Sequence, residues 1–359
     1  MVNYGRLPPN SSAITPTLTN KAMMAAPFQL EPFTPSITLR NPHIQSILAN
    51  GLRPKHGVTF RRQRLDTPDG DFIDLDFADV NGASWADLGD DAPIVLLLHG
   101  LEGSARRGYA HETYRQLATR GIRAAGLNFR SCSGEMNRTA HLYHAGATGD
   151  VVLAMNWLAA QFPHAPKGMI GFSLGGNVLL KYLGEQSANL TGSVQTAVAI
   201  SPPFDMVAGS LAFNHGPGRL YARLFLRTLK EKTRAHAATI GDKIDVTRVL
   251  AAQTVAEFDD ALTAPLHGFQ NAHDYYIQCG SGRFLPDIRL PTLLIRALDD
   301  PFFGDDLPLV AQADNSCLVP GFTAHGGHVG FLESLRPRRF WAERQAARFL
   351  AHHLKDARL

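Results

Sequence analysis

The chemistry suggested by this sequence centres on residues 171–175, GFSLG, in which glycines flank Ser173 at the spacing G-x-S-x-G. An apolar segment, 167–172, precedes the serine, and a segment with helical spacing, 176–182, follows it. The serine is therefore expected at a sharp strand-to-helix turn that holds its hydroxyl clear of the sheet. Side chains at positions 171 and 175 would collide in so tight a turn, which explains the glycines. The arrangement predicts that Ser173 is a nucleophile.

A serine hydroxyl needs a base, and the base needs an acid that orients it. Where a serine occupies such a turn, the acid and then the histidine follow it along the chain. Residues 290–301, LPTLLIRALDDP, read as a buried strand that ends in Asp299 and Asp300. The usual loop register places the acid three residues after Ala297, the small residue that closes the strand, and this favours Asp300 over Asp299. Asp205, which follows the preceding strand, is a further candidate.

The base is expected at His328, within residues 323–331, TAHGGHVGF. This histidine follows the last strand of the alternating pattern and precedes the last helix. Two glycines before it and one after it allow a tight loop that can reach the serine. His325 is the local competitor, but it lacks glycines on both sides.

The oxyanion of an acyl-transfer intermediate needs backbone N–H donors. Residues 99–103, HGLEG, directly follow the apolar segment 94–98 and form a loop suited to this task. The expected donors are the backbone N–H groups of Leu101 and Leu174, the latter being the residue after the nucleophile. His99 is expected to be a structural residue that fixes the loop.

Other chemistries lack their sequence signatures. The chain has no G-x-x-x-x-G-K-[ST], no H-E-x-x-H, no C-x-x-C and no G-x-G-x-x-G after a strand. His141 and His144 lie close together, but a carboxylate-rich partner set is missing. We therefore expect neither a metal nor a cofactor. Dehalogenase chemistry is disfavoured, because it needs a carboxylate at the position of Ser173.

Composition limits the partners and the compartment. The 359 residues include 35 Lys plus Arg and 32 Asp plus Glu, and the net charge of +3 is too small to argue for nucleic acid or an anionic membrane as a partner. Three cysteines are an odd number and form no disulfide framework, so a reducing cytoplasm is expected. The chain has no run of about 18 apolar residues, so we expect neither a membrane-spanning helix nor a stable membrane anchor. The oligomeric state stays open.

The order of elements predicts the fold class. Segments 59–65 and 72–80 read as two antiparallel strands, and strands and helices then alternate from residue 94 to 200 and again from 292 to 354. This alternation predicts a mainly parallel central sheet flanked by helices. Residues 205–286 contain no evident buried strand and are interpreted as an inserted helical cap, with a partly basic helix over 219–234 followed by loops. The core is expected over 26–204 and 287–359, and residues 1–25 are expected to be disordered.

Motifs spread from about residue 30 to 350 resemble those of the YheT-like α/β hydrolases, a branch of serine hydrolases. The resemblance is carried by residues 39–45 (LRNPHIQ), 69–72 (DGDF), 99–104 (HGLEGS), 128–138 (NFRSCSGEMNR), 143–146 (YHAG), 171–177 (GFSLGGN), 258–260 (FDD), 264–269 (APLHGF), 274–276 (DYY) and 326–331 (GGHVGF). Ser131, where the family often has Gly, and the N-terminal extension are minor departures.

The resemblance implies an α/β-hydrolase fold and a Ser–Asp–His hydrolase, a class usually described as carboxylesterases, with some members acting on phospholipids or other lipid esters. The N-terminal membrane anchor of the animal members does not carry over to this chain. For the segment 128–138, the resemblance suggests that Arg130, Glu135 and Arg138 form a buried ion network that shapes the pocket. The alternative, that these residues only hold the loop, is favoured over contact with the substrate.

These observations predict a serine esterase for short- to medium-chain acyl esters, with an uncharged small-molecule or lipid ester as substrate. Apolar residues of the cap within 220–229 are expected to line the acyl pocket. The alternatives are a lipase, phospholipase or thioesterase that uses the same three residues, and a non-catalytic binding protein on a hydrolase scaffold.

Overall fold

A computed structural model describes residues 28–81, 88–190, 194–213, 216, 218–303 and 306–355. The expectation of disorder for residues 1–25 lies outside these described residues. The strands of the main sheet are β1 (Val58–Asp66), β2 (Phe72–Val80), β3 (Ile94–Leu98), β4 (Arg123–Asn128), β5 (Lys167–Phe172), β6 (Val194–Ile200), β7 (Thr292–Ala297) and β8 (Leu318–Thr323).

The helices follow the strands in alternation over much of the chain. They are α1 (Pro42–Leu52), α2 (Gly108–Ala118), α3 (Thr148–Gln161), α4 (Leu174–Gln186), α5 (Met206–Ala212), α6 (Gly218–Ala235), α7 (Ala237–Ile240), α8 (Val246–Ala251), α9 (Val255–Phe258), α10 (Ala264–His267), α11 (Ala272–Cys279), α12 (Pro308–Gln312) and α13 (Trp341–Lys355). A π-helical turn, Asp259–Thr263, joins α9 to α10.

The eight strands form one sheet in the order β1-β2-β4-β3-β5-β6-β7-β8. β1 pairs with β2 and β2 with β4 in antiparallel fashion, whereas all remaining pairs are parallel. The order doubles back at β3, so that β5 lies in the middle of the sheet. This topology confirms the predicted fold class and brings the carboxyl ends of β3, β5 and β7 to one edge.

Helices cover both faces of the sheet, which explains why β3 is apolar throughout. Leu96 and Leu98 pack into a core shared with α3 and α4, and Val95 and Leu97 pack into a second core shared with α2 and α13. All five residues of β3 are buried. The central strands are therefore rigid supports for the loops at their carboxyl ends.

Three parts of the fold differ from the sequence-based expectations. Helix α1, whose N-terminus is capped by the Asn41 side chain, was not anticipated. The final helix begins at Trp341, and a two-stranded hairpin, β9 (Leu332–Leu335) and β10 (Arg338–Phe340), precedes it. The expectation of loops after Arg234 is wrong, because α7 to α11 occupy that stretch. The described residues between β6 and β7 are helical or irregular, and they are termed the helical insertion (205–286).

The helical insertion has a small core of its own. Its buried members come from α6, α7, α8, α9, the π-helical turn and nearby loops, and they include Leu226, Ile240, Val249 and Leu262. The three cysteines are free thiols, of which Cys132 and Cys279 are buried. Among the described residues, no helix is both long enough and apolar enough to cross a bilayer.

Candidate active site

Ser173 stands at the turn between β5 and α4, where the sequence places the nucleophile. Its backbone has φ +52° and ψ −121°, a conformation that costs energy for a residue with a side chain. A Cβ atom on Gly175 would lie 2.4 Å from the carbonyl oxygen of His99, and one on Gly171 would lie 2.4 Å from the carbonyl oxygen of Gly175. Both glycines are therefore required for β3 and the turn to approach this closely.

The imidazole of His328 lies between Ser173 and Asp300. Its Nε2 is 2.9 Å from Ser173 Oγ, and its Nδ1 is 2.9 Å from Asp300 Oδ2. An ionised carboxylate only accepts hydrogen bonds, so Nδ1 carries the proton and Nε2 is free to accept from the serine hydroxyl. This is the arrangement in which the histidine can remove the serine proton.

Asp300 is held in its ionised form. Burial alone would raise its pKa, but the electrostatic attraction and hydrogen bond of the His328 ring and the guanidinium of Arg296 outweigh burial, so the pKa lies below its usual value. The Phe302 N–H donates to Asp300 Oδ1 at 2.9 Å, and Arg296 Nε lies 3.7 Å from Oδ2. The second oxygen therefore remains available for the imidazole.

The two other candidate acids have different partners. Asp299 accepts from the Gly327 N–H at 2.8 Å, and its other oxygen lies 3.3 Å from Nδ1 of His325. Asp205 caps the N-terminus of α5 by accepting from two backbone N–H groups. The structure thus brings Asp300 to His328, whereas Asp299 supports the glycine loop and Asp205 stabilises a helix end.

Contacts not anticipated from the sequence hold the histidine in place. Its backbone N–H donates to Ser46 Oγ of α1 at 2.8 Å, and the N–H of Val329 donates to Ser201 Oγ at 3.1 Å. The ring stacks on Phe302, with centroids 4.1 Å apart and planes at 17°. Phe302 follows Asp300 by two residues, but no periodic pattern marks an aromatic side chain in an irregular loop.

The loop after β3 is fixed by His99 and its neighbours. His99 is fully buried; its Nε2 accepts from the Phe129 N–H at 3.1 Å, and its Nδ1 lies 2.7 Å from the carbonyl oxygen of Gly100. Burial lowers the pKa of His99 to about 3, so the ring is neutral. The Gly100 N–H donates to the Tyr109 hydroxyl at 3.0 Å. These contacts hold the backbone at Leu101 close to Ser173.

A charged pair extends from this loop to the helical insertion. Glu102 has φ +52°, and its carboxylate lies 2.9 Å from Nζ of Lys232 on α6 and accepts from the Tyr143 hydroxyl at 2.9 Å. Nζ also lies 3.1 Å from Sγ of Cys132, a buried thiol whose pKa burial raises to about 11. Nothing in the sequence pattern linked Lys232 to Glu102, because 130 residues separate them.

Two cavities are lined by Ser173. The first, termed the inner cavity, has an empty volume of about 1160 Å³ including the space open to solvent, and it lies beneath the helical insertion. Leu101 and Leu174 line it, together with mainly apolar residues of the insertion, among them Phe225, Leu229 and Leu262. Of the segment expected to form an acyl pocket, Phe225 and Leu229 face this cavity, whereas Leu220 and Leu224 are exposed.

The second cavity, termed the entrance cavity, has an empty volume of about 1070 Å³ measured in the same way. It lies between α1 and α6 and is lined by Ile47, Leu224, Ser173 and His328, among others. Ser173, the candidate nucleophile, therefore borders both cavities. The inner cavity is lined mainly by apolar residues of the helical insertion, and the entrance cavity lies between α1 and α6.

The segment 128–138 is held by ion pairs, but not by one buried network. Arg130 is 4% exposed and pairs with Asp150 at 2.9 Å and with Asp69 at 2.7 Å. Glu135 and Arg138 lie at the surface, so the expectation of a buried network is wrong for both. Among the described residues, no three His, Cys, Asp or Glu side chains cluster as metal ligands would.

The chain is similar to known hydrolases along most of its length. A family model described as alpha/beta hydrolase fold matches residues 93–335. The chain is 35% identical over 331 residues to YheT of Escherichia coli (strain K12), a protein that is provisionally named an esterase. The match covers 90% of this chain and 94% of YheT. It is 34% identical over 263 residues to a monoacylglycerol lipase of Saccharomyces cerevisiae, covering 71% of this chain and 58% of that protein.

The structural comparison agrees with the sequence comparison. The Pyrococcus furiosus esterase Pf2001 superimposes with a TM-score of 0.54 at 15% identity, covering 92% of this chain and 100% of that chain. The Pyrobaculum calidifontis esterase gives a TM-score of 0.54 at 17% identity, covering 88% of this chain and 89% of that chain. At these identities the structures show a shared fold. With the family model and the similarity to YheT, they establish that this chain belongs to the α/β-hydrolase fold family, in its YheT-like branch.

Proposed function

We propose that this protein is a serine hydrolase of carboxylic esters. The observation that carries the proposal is the chain of contacts Ser173–His328–Asp300, in which both heavy-atom distances are 2.9 Å. The three side chains come from three different loops at the same sheet edge. A serine, a neutral imidazole and a buried carboxylate in this order can activate the serine for acyl transfer.

In the proposed mechanism, Ser173 Oγ attacks the ester carbonyl carbon while His328 Nε2 takes the hydroxyl proton. The carbonyl oxygen becomes an oxyanion, which the N–H groups of Leu101 and Leu174 stabilise. The tetrahedral intermediate collapses, His328 gives the proton to the leaving alcohol, and an acyl-serine remains. Water then attacks the acyl-serine with His328 as the base, which releases the acid and restores the enzyme.

The inner cavity would receive the acyl chain, and the helical insertion would act as its cap. The apolar residues Phe225, Leu229 and Leu262 fit a hydrocarbon chain of short to medium length. The entrance cavity, on the other side of Ser173, would receive the alcohol part of the ester. A near-neutral net charge of +3 also fits an uncharged ester.

A lipase or phospholipase acting with the same three residues is the second candidate. It is favoured by the volume of the entrance cavity, about 1070 Å³ including the space open to solvent, which suits a bulky alcohol. The names of the yeast relative, a monoacylglycerol lipase, and of a mouse relative, the phospholipase ABHD3, point the same way. A thioesterase would need no further residue, and a non-catalytic binding protein would leave the geometry of Ser173 unused.

The test is hydrolysis of p-nitrophenyl esters of increasing acyl length by the purified protein. We expect turnover that is highest for short to medium chains and that Ser173→Ala abolishes. Ser36→Ala, at an exposed residue that lines neither cavity, is the matched control and should retain full activity. Equal turnover by Ser173→Ala and the unaltered protein would refute the proposal, and replacing the ester oxygen by sulfur tests the thioesterase alternative.

A further inference from the structure

Helix α6 presents an unusual outer face. Leu220 and Leu224 are 60% and 58% exposed although they are large aliphatic side chains. Arg219, Arg223 and Arg227 lie on the same outer face at a spacing of four residues and are also exposed. The helix contains six basic residues and one acidic residue, Glu231. Aliphatic and cationic side chains therefore share one solvent-facing surface.

Helix α1 continues this surface. Ile44 and Ile47 are 42% and 60% exposed, and α1 contains no acidic residue. The two helices meet where His43 of α1 stacks on Tyr221 of α6, with ring planes at 19°. We refer to the four exposed aliphatic side chains of the two helices as the apolar rim, which consists of Ile44, Ile47, Leu220 and Leu224.

Two members of the apolar rim lie at the entrance cavity. Ile47 and Leu224 line the cavity from opposite helices, and Ser173 and His328 also line it. Exposed aliphatic residues grouped at one place on a folded protein mark an interaction site, because their contact with water is unfavourable. Here two of the exposed aliphatic residues lie at the cavity that leads to Ser173, the proposed nucleophile.

We propose that the apolar rim and the arginines of α6 dock the protein on an anionic lipid surface. Aliphatic side chains next to a row of cations match a bilayer interface, where acyl chains lie beneath anionic headgroups. The mouth of the entrance cavity would then face the lipid, and an ester could pass to Ser173 without crossing water. The net charge of +3 does not predict this attraction, which depends on the local excess of basic residues on α6. Arg227 pairs with Glu231 at 3.0 Å, so Arg219 and Arg223 are the arginines on which the proposal rests.

Vesicle binding tests this docking without any catalysis. Ser173→Ala protein is sedimented with phosphatidylcholine vesicles, either alone or with added phosphatidylglycerol. We expect clear binding to the anionic vesicles. Adding Leu220→Ser and Ile44→Ser should weaken it by about tenfold or more, because two aliphatic side chains that would insert into the lipid are removed. Ile277→Ser, at a residue of α11 that is 52% exposed, is the matched control and should bind as before.

The charge component has its own test. Arg219→Glu with Arg223→Glu should weaken binding to anionic vesicles, and added salt should shrink the difference. Arg289→Glu, at an exposed arginine in the loop before β7, should have little effect. Equal binding to neutral and anionic vesicles would overturn the role of charge.

Two outcomes would overturn the docking proposal itself. One is unchanged vesicle binding in the Leu220→Ser, Ile44→Ser variant. The other is absence of binding to the anionic vesicles. If the protein then proves to be a dimer that these substitutions dissociate, the rim is assigned to a second copy of the chain. Because the assay uses Ser173→Ala protein, its failure leaves the proposed hydrolase activity untouched. With Ser173 restored, the double variant should hydrolyse p-nitrophenyl acetate at the normal rate.

Discussion

Lys232 of α6 lies 2.9 Å from the carboxylate of Glu102, the residue that follows Leu101 in the chain. The pair is well enclosed: the side chain of Glu102 is 5% exposed and that of Lys232 is 26% exposed. Burial would lower the pKa of Lys232, but the neighbouring Cys132 and Glu102 outweigh burial and raise it, so the lysine stays charged. A cation from the helical insertion thus holds the loop that carries a proposed oxyanion donor.

We expect Lys232→Met to lower kcat for p-nitrophenyl acetate by about tenfold, a typical loss when a catalytic donor is mispositioned without being removed. KM for this small substrate should change little, because the ester does not reach the lysine. Glu102→Gln alone and the double variant complete a double-mutant cycle. If the factors by which the two substitutions lower kcat simply multiply in the double variant, the pair does not act as a unit and the positioning role is wrong.

Asp300 and Asp299 allow a matched comparison within two adjacent residues. Asp300→Asn should lower kcat by about 10³–10⁴-fold, because the amide favours the wrong histidine tautomer. Asp299→Asn can still accept the Gly327 N–H through its amide oxygen, so we expect a loss of less than about tenfold. Steady-state kinetics on both variants measure the two effects, and a larger loss for Asp299→Asn would exchange the roles assigned here.

The strands and the order of site residues could be predicted because local patterns determine them. The apolar run of β3, the glycines around Ser173 and the position of Asp300 after Ala297 each reflect one element and its loop. The partners Ser46, Ser201 and Lys232 could not be predicted, since each comes from a distant part of the chain and has no spacing relation to the site. The short helices α7 to α11 were missed because four- to eight-residue helices leave no clear periodicity.

The inner cavity predicts a change in chain-length preference. Leu229→Trp fills part of the cavity, so kcat/KM for an octanoyl ester should fall relative to an acetyl ester by about ten- to a hundredfold. Leu220→Trp makes the same substitution on the same helix at an exposed position and is the control. An unchanged octanoyl-to-acetyl ratio in Leu229→Trp would mean that the acyl chain lies elsewhere.

Asp259 predicts a pH dependence of stability. Burial raises the pKa of its carboxyl from 3.8 to about 6, although Thr263 and Tyr276 donate hydrogen bonds to it. The folded state therefore binds this proton more tightly than the unfolded state, and the resulting stabilisation, on the order of 2–3 kcal/mol, is present below about pH 4 and is lost as the pH rises through about 6.

Removing the titrating group should remove this dependence. Asp259→Asn is expected to gain thermal stability relative to the unaltered protein as the pH is raised from about 4 to 7. Melting temperatures of both proteins across this range measure the difference. A difference in Tm that stays constant over the range would show that Asp259 titrates normally in the folded protein.

The central claim is that Ser173 is a nucleophile activated by His328. It is tested most directly by incubating the protein with a fluorophosphonate probe and locating the label by peptide mass spectrometry. We expect one labelled residue, Ser173, with labelling slowed strongly in His328→Gln and absent in Ser173→Ala. A protein that is folded but takes up no label, or a label that persists in Ser173→Ala, would contradict it.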